Sequence, residues 1–157
     1  MIKVQREDFD VGVELAALSA GDPTVGGVAS FVGLVRDMAG PGAGAVSAMT
    51  LEHYPGMTEK MLAAIEAEAH QRWPLNASII IHRYGRLEPG EQIVLVGTAS
   101  AHRQAALEAC AFLIDWLKTK APFWKLEAGP EGEAWVEARD SDDAAAERWA
   151  AAETGGD

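Results

Sequence analysis

Three lysines and two tryptophans lie within residues 115–125 (DWLKTKAPFWK) of an otherwise acidic chain. The 157 residues carry a formal net charge of -11, so this positive charge is local. Lys118 and Lys125 flank Pro122, a residue that prevents a helix from continuing. A turn there can bring both ammonium groups onto one cleft, where they would serve as a proton shuttle or nucleophile. The open alternative is that both are solvated surface lysines.

A long helix must position the first of these lysines. It is predicted to begin near Ser100 or His102 and to end at Lys120. At about 100° per residue, Lys118 falls at the border of the apolar stripe, from which it can reach into a cleft beside the core. The predicted core stripe consists of Leu107, Cys110, Leu113, Ile114 and Leu117.

The single cysteine of the chain, Cys110, lies in that stripe. A thiol buried among aliphatic side chains has a raised pKa and behaves as a small apolar group. We therefore expect a structural role for Cys110 and no role as a nucleophile or sulfur carrier.

Other cationic groups have two interpretations each. Arg36 precedes a glycine-rich loop and could clamp a phosphate or be a surface charge at a strand end. His102 and Arg103 could bind an anion at the start of the long helix or form a cap with a surface arginine. His53 and His82 stand in apolar strand patterns and are predicted to be structural histidines with satisfied hydrogen bonds.

Composition narrows the class of protein. Acidic residues number 24 against 13 lysines and arginines, which argues against sequence-independent binding to nucleic acid or to an anionic membrane. No apolar run approaches the roughly 18 residues of a membrane span and no signal peptide is visible, so a cytoplasmic protein is expected. One cysteine excludes an internal disulfide, and the four histidines lack ligand spacing. We expect neither a metal nor a cofactor.

Strand pairs alternate with single helices, which predicts an α+β domain over residues 1–152 and a disordered tail at 153–157. Asp10 is the predicted cap of a short helix through Leu18. A second helix follows Gly56 and ends near Trp73, with Met61, Leu62, Ile65 and Ala69 on its inner face. Strands are predicted at 2–6, 27–36, 46–54, 77–84, 92–100 and 134–138, a mobile loop at 37–45, and a last helix from about Asp142.

Four sequence blocks, taken together, carry a family resemblance. They are LEHYPGMT at 51–58, SAHR at 100–103, LKTKAPFWK at 117–125 and WVEAR at 135–139. In this order and spacing they closely resemble the catalytic (large) subunit of molybdopterin synthase. The similarity extends over residues 27–149.

The resemblance implies a sulfurtransferase of molybdenum cofactor biosynthesis with the α/β hammerhead fold. In that family, sulfur arrives as a C-terminal Gly-Gly thiocarboxylate on a small ubiquitin-like sulfur-carrier subunit. It is transferred to cyclic pyranopterin monophosphate, which becomes the dithiolene of molybdopterin. The large subunits form a homodimer within a heterotetramer. The Gly155-Gly156-Asp157 end is not such a donor tail, because an aspartate follows the glycines.

The resemblance also implies site residues. The family's catalytic lysines fall on Lys118 and Lys125, and Arg139 is a candidate contribution to the pocket of a neighbouring subunit. Leu34 departs from the lysine of the family's Gly-Lys-Val-Arg block. The implied substrate-binding residues are Leu34, Val35, Arg36, His102, Arg103, Lys118, Lys125, Leu126 and Glu127.

An alternative function is a non-catalytic binding or scaffold protein for a phosphorylated pterin or for the small subunit. Such a protein would need Arg36 and Arg103 but not both lysines. A pure interaction subunit would instead use Phe123 and Trp124 as a docking surface. The presence of both Lys118 and Lys125 favours the enzyme.

Overall fold

The structure is a computed structural model that describes residues 1–37, 48–129, 132–136 and 140–151. Within these ranges it has the predicted α+β architecture. The strands are β1 (Ile2–Gln5), β2 (Gly27–Leu34), β3 (Ala48–His53), β4 (Leu75–Arg83), β5 (Gly85–Leu87), β6 (Gln92–Ser100), β7 (Phe123–Gly129) and β8 (Gly132–Val136). The helices are α1 (Val11–Ser19), α2 (Met57–Arg72), α3 (Arg103–Thr119) and α4 (Asp140–Ala151). The predicted tail and nearly all of the predicted mobile loop lie outside the described residues.

The first sheet has the strand order β1-β4-β6-β2. Its central strand β4 carries three consecutive isoleucines, Ile79 to Ile81, and all three are buried. Successive side chains point to opposite faces, so this strand is covered on both sides, as its sequence predicted. The antiparallel strand pairs expected of this α+β fold form between β2 and β6 and between β4 and β6, whereas β1 pairs with β4 in parallel.

The second sheet has the order β5-β3-β7-β8. Strands β4 and β6, which the sequence predicts at 77–84 and 92–100 as a hairpin, pair with each other in antiparallel. They do not form a simple hairpin, because β5 lies between them in the sequence and pairs with β3 instead. The segment after Pro122 was predicted only as a short extended piece. It is the strand β7, which pairs with β3 on one side and β8 on the other.

The glycines of β2 allow the close approach that the sequence predicted. A Cβ atom on Gly33 would lie 2.7 Å from Cγ1 of Val94, nearer than side chains pack. The pairing of β2 with β6 shifts register directly after this residue. Such a bulge re-aims the residues that follow, and Leu34 is 54% exposed.

The first two helices begin as expected. Asp10 caps α1, and its Oδ1 accepts a hydrogen bond from the backbone N–H of Val13 at 2.9 Å. On α2, Leu62, Ile65 and Ala69 are buried as predicted. The prediction was wrong for Met61, which is exposed. Thr58 takes its place because the helix turns that residue toward β3, where its Oγ1 accepts a hydrogen bond from the backbone N–H of Tyr54.

Helix α3 packs along β6 and runs antiparallel to it. The Thr98 hydroxyl donates a hydrogen bond to the Ala106 carbonyl at 2.6 Å, and further along, Sγ of Cys110 lies 4.0 Å from the Val96 carbonyl oxygen. Cys110, Leu113 and Leu117 are buried as predicted. Leu107 is 60% exposed, so its predicted core position was wrong. The buried face is centred instead on the side of Ala106, Ala109 and Phe112, because small alanines let the helix approach the sheet closely.

Cys110 behaves as a structural thiol. Burial raises its pKa to about 11, so it stays protonated at neutral pH. We expect Cys110→Ala to lower the free energy of unfolding by about 1 to 2 kcal/mol, the usual loss for a small buried side chain. Urea denaturation measures this loss, and turnover of the variant should stay within about twofold of the wild type. A folded but inactive variant would contradict the structural role.

No helix within the described ranges is both long enough and apolar enough to cross a membrane.

Candidate active site

The structure places Lys118 and Lys125 at the same end of the fold. Lys118 is exposed in the last turn of α3, where the negative end of the helix dipole favours a cation. Lys125 is half-buried on β7 and lies opposite Leu51 of β3. The intervening Lys120 faces elsewhere, with its ammonium 4.8 Å from the centre of the Trp116 ring.

An aromatic stack of Phe123 on the buried His82 lies at the same end of the fold as the two lysines. The ring of Phe123, two residues before Lys125, stacks on His82 at a centroid distance of 3.7 Å and an angle of 14°. His82 lies near the end of β4 and is close enough to Lys118 to be influenced by its charge. The stack therefore joins β4 to β7, and Lys118 approaches it from the end of α3, whereas Lys125 follows Phe123 on β7 itself.

His82 is a satisfied structural histidine, as the sequence predicted. Its Nδ1–H donates a hydrogen bond to the Arg83 carbonyl at 2.8 Å. Burial, with smaller contributions from the charges of Lys118 and His53, lowers the pKa of His82 to about 4, although the hydrogen bond to Arg83 acts in the opposite direction. The imidazole is therefore neutral at physiological pH.

This pKa predicts a pH dependence of stability. Between pH 6.5 and about 4, the His82 imidazole binds a proton in the unfolded chain but not in the folded one. The contribution of neutral His82 to the free energy of unfolding is therefore complete above pH 6.5. It is lost as the pH drops toward 4, which lowers the free energy of unfolding by up to about 3 kcal/mol. His82→Phe keeps an aromatic ring against Phe123 and should remove this component. Denaturation midpoints at pH 4.5 and 7.5 measure it, and an unchanged pH dependence in the variant would contradict this assignment.

Arg36 lies at the lysine end of the molecule. Strand β2 ends beside the start of β6, which is the end of the sheet where α3 terminates. Val35 is fixed there, because its N–H donates to the Glu91 carbonyl and its carbonyl accepts from the Gly90 N–H, both at 2.8 Å. Its side chain is buried, whereas Leu34 and Arg36 on either side are exposed. Both backbone polar groups of Val35 are thus hydrogen-bonded within the chain, and the side chain of Arg36 is the group exposed to solvent.

His102 and Arg103 lie at the opposite end of α3. Both are exposed. His102 is the N-cap without a side-chain capping bond, and no acidic residue stands in the first turn, which leaves the positive end of the helix dipole open to an anion. The fifteen-residue rise from Arg103 to Lys118 is about 22 Å. In one chain, these two side chains cannot contact the same phosphate group.

The remaining predicted residues lie on or beyond β7. Leu126 and Glu127 pair through their backbones with Thr50 and Met49 of β3. They occupy an inner strand of the second sheet, next to Lys125. Arg139 lies outside the described residues.

His53 differs from its prediction. It is half-buried at the end of β3, and its ring lies 4.3 Å from that of Tyr84 and 6.1 Å from that of Phe123. Its Nδ1 is buried without a hydrogen-bond partner among the described residues, so the expectation of a satisfied histidine was wrong. Apolar neighbours in sequence could not reveal this, because aromatic rings, rather than polar groups, surround the imidazole.

A separate cavity of about 450 Å³ lies between α1, α2 and β4. Apolar side chains form most of its wall, together with Glu14, Glu66 and His70. It shares no residue with the lysine end of the fold. The chemistry of the lysines therefore belongs to an open surface site and not to this cavity.

Known proteins resemble this chain over most of its length. Residues 4–120 match the model of the family described as MoaE protein. The molybdopterin synthase catalytic subunit of Pseudomonas aeruginosa is 60% identical over 148 residues, which cover 94% of this chain and 97% of that protein.

Solved structures share the fold. The molybdopterin biosynthesis MoaE protein from Burkholderia ambifaria superposes with a TM-score of 0.81 at 53% identity, covering 96% of this chain and 97% of that one. A complex of subunits 1 and 2 of the molybdopterin-converting factor from Helicobacter pylori contains a chain with the same fold, with a TM-score of 0.71 at 20% identity over 88% of this chain and 91% of that one. The chain therefore belongs to the MoaE family, the family of the molybdopterin synthase catalytic subunit.

Proposed function

We propose that this chain transfers sulfur from the thiocarboxylated C-terminus of a small subunit to cyclic pyranopterin monophosphate, which becomes the dithiolene of molybdopterin. The enzyme is the sulfurtransferase of its family, the molybdopterin synthase catalytic subunit. One observation supports the assignment of the residues. Lys125 lies two residues after Phe123, whose ring stacks on His82, and the charge of Lys118 acts on that imidazole, at the end of the fold where Arg36 is exposed.

The two lysines suit a reaction that develops negative charge. When the thiocarboxylate sulfur bonds to a carbon of the pterin side chain, a C–O bond of that carbon breaks, its oxygen leaves as water or as phosphate, and the acyl group becomes a thioester. Water then attacks the thioester carbonyl and breaks its C–S bond, so that the sulfur stays on the substrate as a thiolate and the tail ends in a carboxylate. Each step passes through an anionic adduct, which a nearby ammonium stabilises. Lys118, exposed at the helix end, stabilises this charge. Lys125, half-buried beside it, positions the substrate and transfers protons.

Partner binding is part of the proposal. The Helicobacter pylori structure is a complex of two subunits of the molybdopterin-converting factor, and the shared fold supports a small ubiquitin-like partner for this chain. A thiocarboxylate tail carries a negative charge, and the lysine end supplies local positive charge on a chain of net charge -11. The tail would therefore enter at Lys118 and Arg36.

A second copy of the chain is also needed. Arg103 and Lys118 stand at opposite ends of one helix, about 22 Å apart. A twofold axis places the start of α3 from one chain beside the end of α3 from another when the helices run antiparallel. We infer a homodimer in which His102 and Arg103 of one chain bind the phosphate and pterin held at Lys118 and Lys125 of its partner.

Reconstitution tests the function. The purified chain is mixed with cyclic pyranopterin monophosphate and a thiocarboxylated small subunit, and dithiolene formation is followed. We expect product from the wild type and none when the tail carries a plain carboxylate. A folded chain that binds both molecules and forms no product would instead be a binding or scaffold protein.

A further inference from the structure

The block LEHYPGMT at 51–58 supplies none of the proposed site residues, yet it delivers His53 to the site. His53 is the last residue of β3 and pairs directly with Phe123, the first residue of β7. Its ring lies against Tyr84 on one side and faces Phe123 on the other. Two aromatic neighbours, one on β7 and one at the link between β4 and β5, therefore hold the imidazole ring in place.

The two neighbouring histidines differ in their hydrogen bonds: the buried Nδ1 of His53 lacks a partner in the part of the chain that the structure describes, whereas the Nδ1 of His82 has one. Nδ1 of His82 is bonded to the Arg83 carbonyl, whereas Nδ1 of His53 has no partner among the described residues. An unpaired buried polar group typically costs about 1 to 3 kcal/mol, and folded proteins satisfy most such groups. A cost of this size indicates that the nitrogen is used in a state of the site other than the one seen.

The strand register places His53 and Lys125 on one face of the sheet. His53 lies opposite Phe123, and Leu51 lies opposite Lys125. Residues directly opposite each other share a face, as do residues two apart on one strand. Lys125 is thus the diagonal neighbour of His53, at a Cβ separation of about 7 Å that a lysine side chain can bridge.

The face around this pair is apolar. Leu51 is buried together with Val35, Met49 and Leu87. An ammonium group on such a face favours any hydrogen-bond acceptor within its reach. It has three donors and no acceptor, and a neutral imidazole with its proton on Nε2 offers the Nδ1 lone pair.

We propose that His53 is a positioning residue for the reaction, whose Nδ1 accepts a hydrogen bond from the Lys125 ammonium when the substrate-loaded site assembles. This inference rests on the proposed function, because it assigns His53 to the lysine that acts there. The bond directs the ammonium toward the reacting atoms and supplies the partner that the buried nitrogen lacks.

Two variants separate this role from packing. His53→Phe keeps a ring between Tyr84 and Phe123 but removes both nitrogens, and His53→Asn puts an amide oxygen near the position of Nδ1. We expect His53→Phe to lower kcat about tenfold to a hundredfold and to leave KM for the pterin precursor within about twofold. His53→Asn should recover most of kcat. His70→Phe, the same exchange at a histidine that bonds Ser78 beside the separate cavity, should keep the wild-type kcat.

A second measurement does not depend on turnover. Lysine amines labelled by ¹³C reductive methylation give separate NMR signals, and the Lys125 signal is identified by its loss in Lys125→Arg. In the complex with the pterin precursor and the small subunit, His53→Phe should shift the Lys125 signal and leave that of Lys120 unchanged, and His53→Asn should move it back toward the wild type.

The outcomes distinguish the two proposals. An unchanged Lys125 signal in His53→Phe would overturn the contact, whatever the activity. Equal losses of kcat in His53→Phe and His53→Asn would mean that His53 contributes only packing, which would also overturn the proposed positioning role. If the signal shifts but Lys125→Ala turns over at the wild-type rate, the proposed role of Lys125 in sulfur transfer is what fails, and the positioning role fails with it.

Discussion

Lys118→Ala is expected to lower kcat for dithiolene formation by at least about a hundredfold, because it removes the ammonium that stabilises the anionic adduct. The dissociation constant of the pterin precursor should change by less than about threefold, since the proposed phosphate contacts come from His102 and Arg103. Single-turnover rates and calorimetric titration measure the two quantities on the same preparations.

Lys120→Ala is the matched control for this variant. It removes the same charge two residues further on, from a side chain that lies over the Trp116 ring. Its kcat should stay within about twofold of the wild type. If Lys118→Ala weakened precursor binding as much as it lowered kcat, or if both variants were equally slow, Lys118 would be a binding residue or only a surface charge.

At a precursor concentration that saturates the wild type but not Arg103→Ala, mixed dimers of Lys118→Ala and Arg103→Ala chains should regain activity that neither homodimer shows. If one site combines Lys118 of one chain with Arg103 of its partner, a mixed dimer has one site with both groups intact and one with neither. Differently tagged chains are co-expressed, and the mixed dimer is isolated by two affinity steps. Its turnover should be about half that of the wild-type dimer.

The homodimers are the controls for this complementation. Lys118→Ala alone should be nearly inactive, and Arg103→Ala alone should bind the precursor about tenfold to a hundredfold more weakly, as expected for the loss of a charge-assisted hydrogen bond. If the complete site lies within one chain, every site of a mixed dimer carries one defect. The mixed dimer would then show no more activity than the mean of its parents, which contradicts the two-chain site.

Much of the fold could be predicted because local signals and tertiary packing agree. The Asp10 cap, the isoleucine run of β4 and the start and end of α3 each have an unambiguous sequence signature. The exceptions depend on tertiary contacts. Leu107 was predicted to lie in the core but is exposed, because α3 turns its alanine face toward the sheet instead. Strand β5 has only three residues, too few for a periodic pattern.

The site was predictable in its residue types but not in its layout. Charge, spacing and family blocks pointed to Lys118 and Lys125, and the structure brings them to one end of the fold. The same reasoning placed Arg103 beside them, because helix periodicity reports the angle around a helix and not the distance along it. Sequence also could not show that His82 is bonded and His53 is not, since that difference depends on which strands meet at Phe123.

The most direct test of sulfur transfer follows labelled sulfur through a single turnover. A small subunit whose thiocarboxylate carries ³⁵S is mixed with an excess of this chain and with the pterin precursor. We predict that the label leaves the small subunit and appears in the dithiolene, one sulfur for each tail consumed, at a rate that Lys118→Ala abolishes and Lys120→Ala does not change. Label that stays on the tail in a folded, precursor-bound complex would contradict the assignment of this chain as the catalytic subunit.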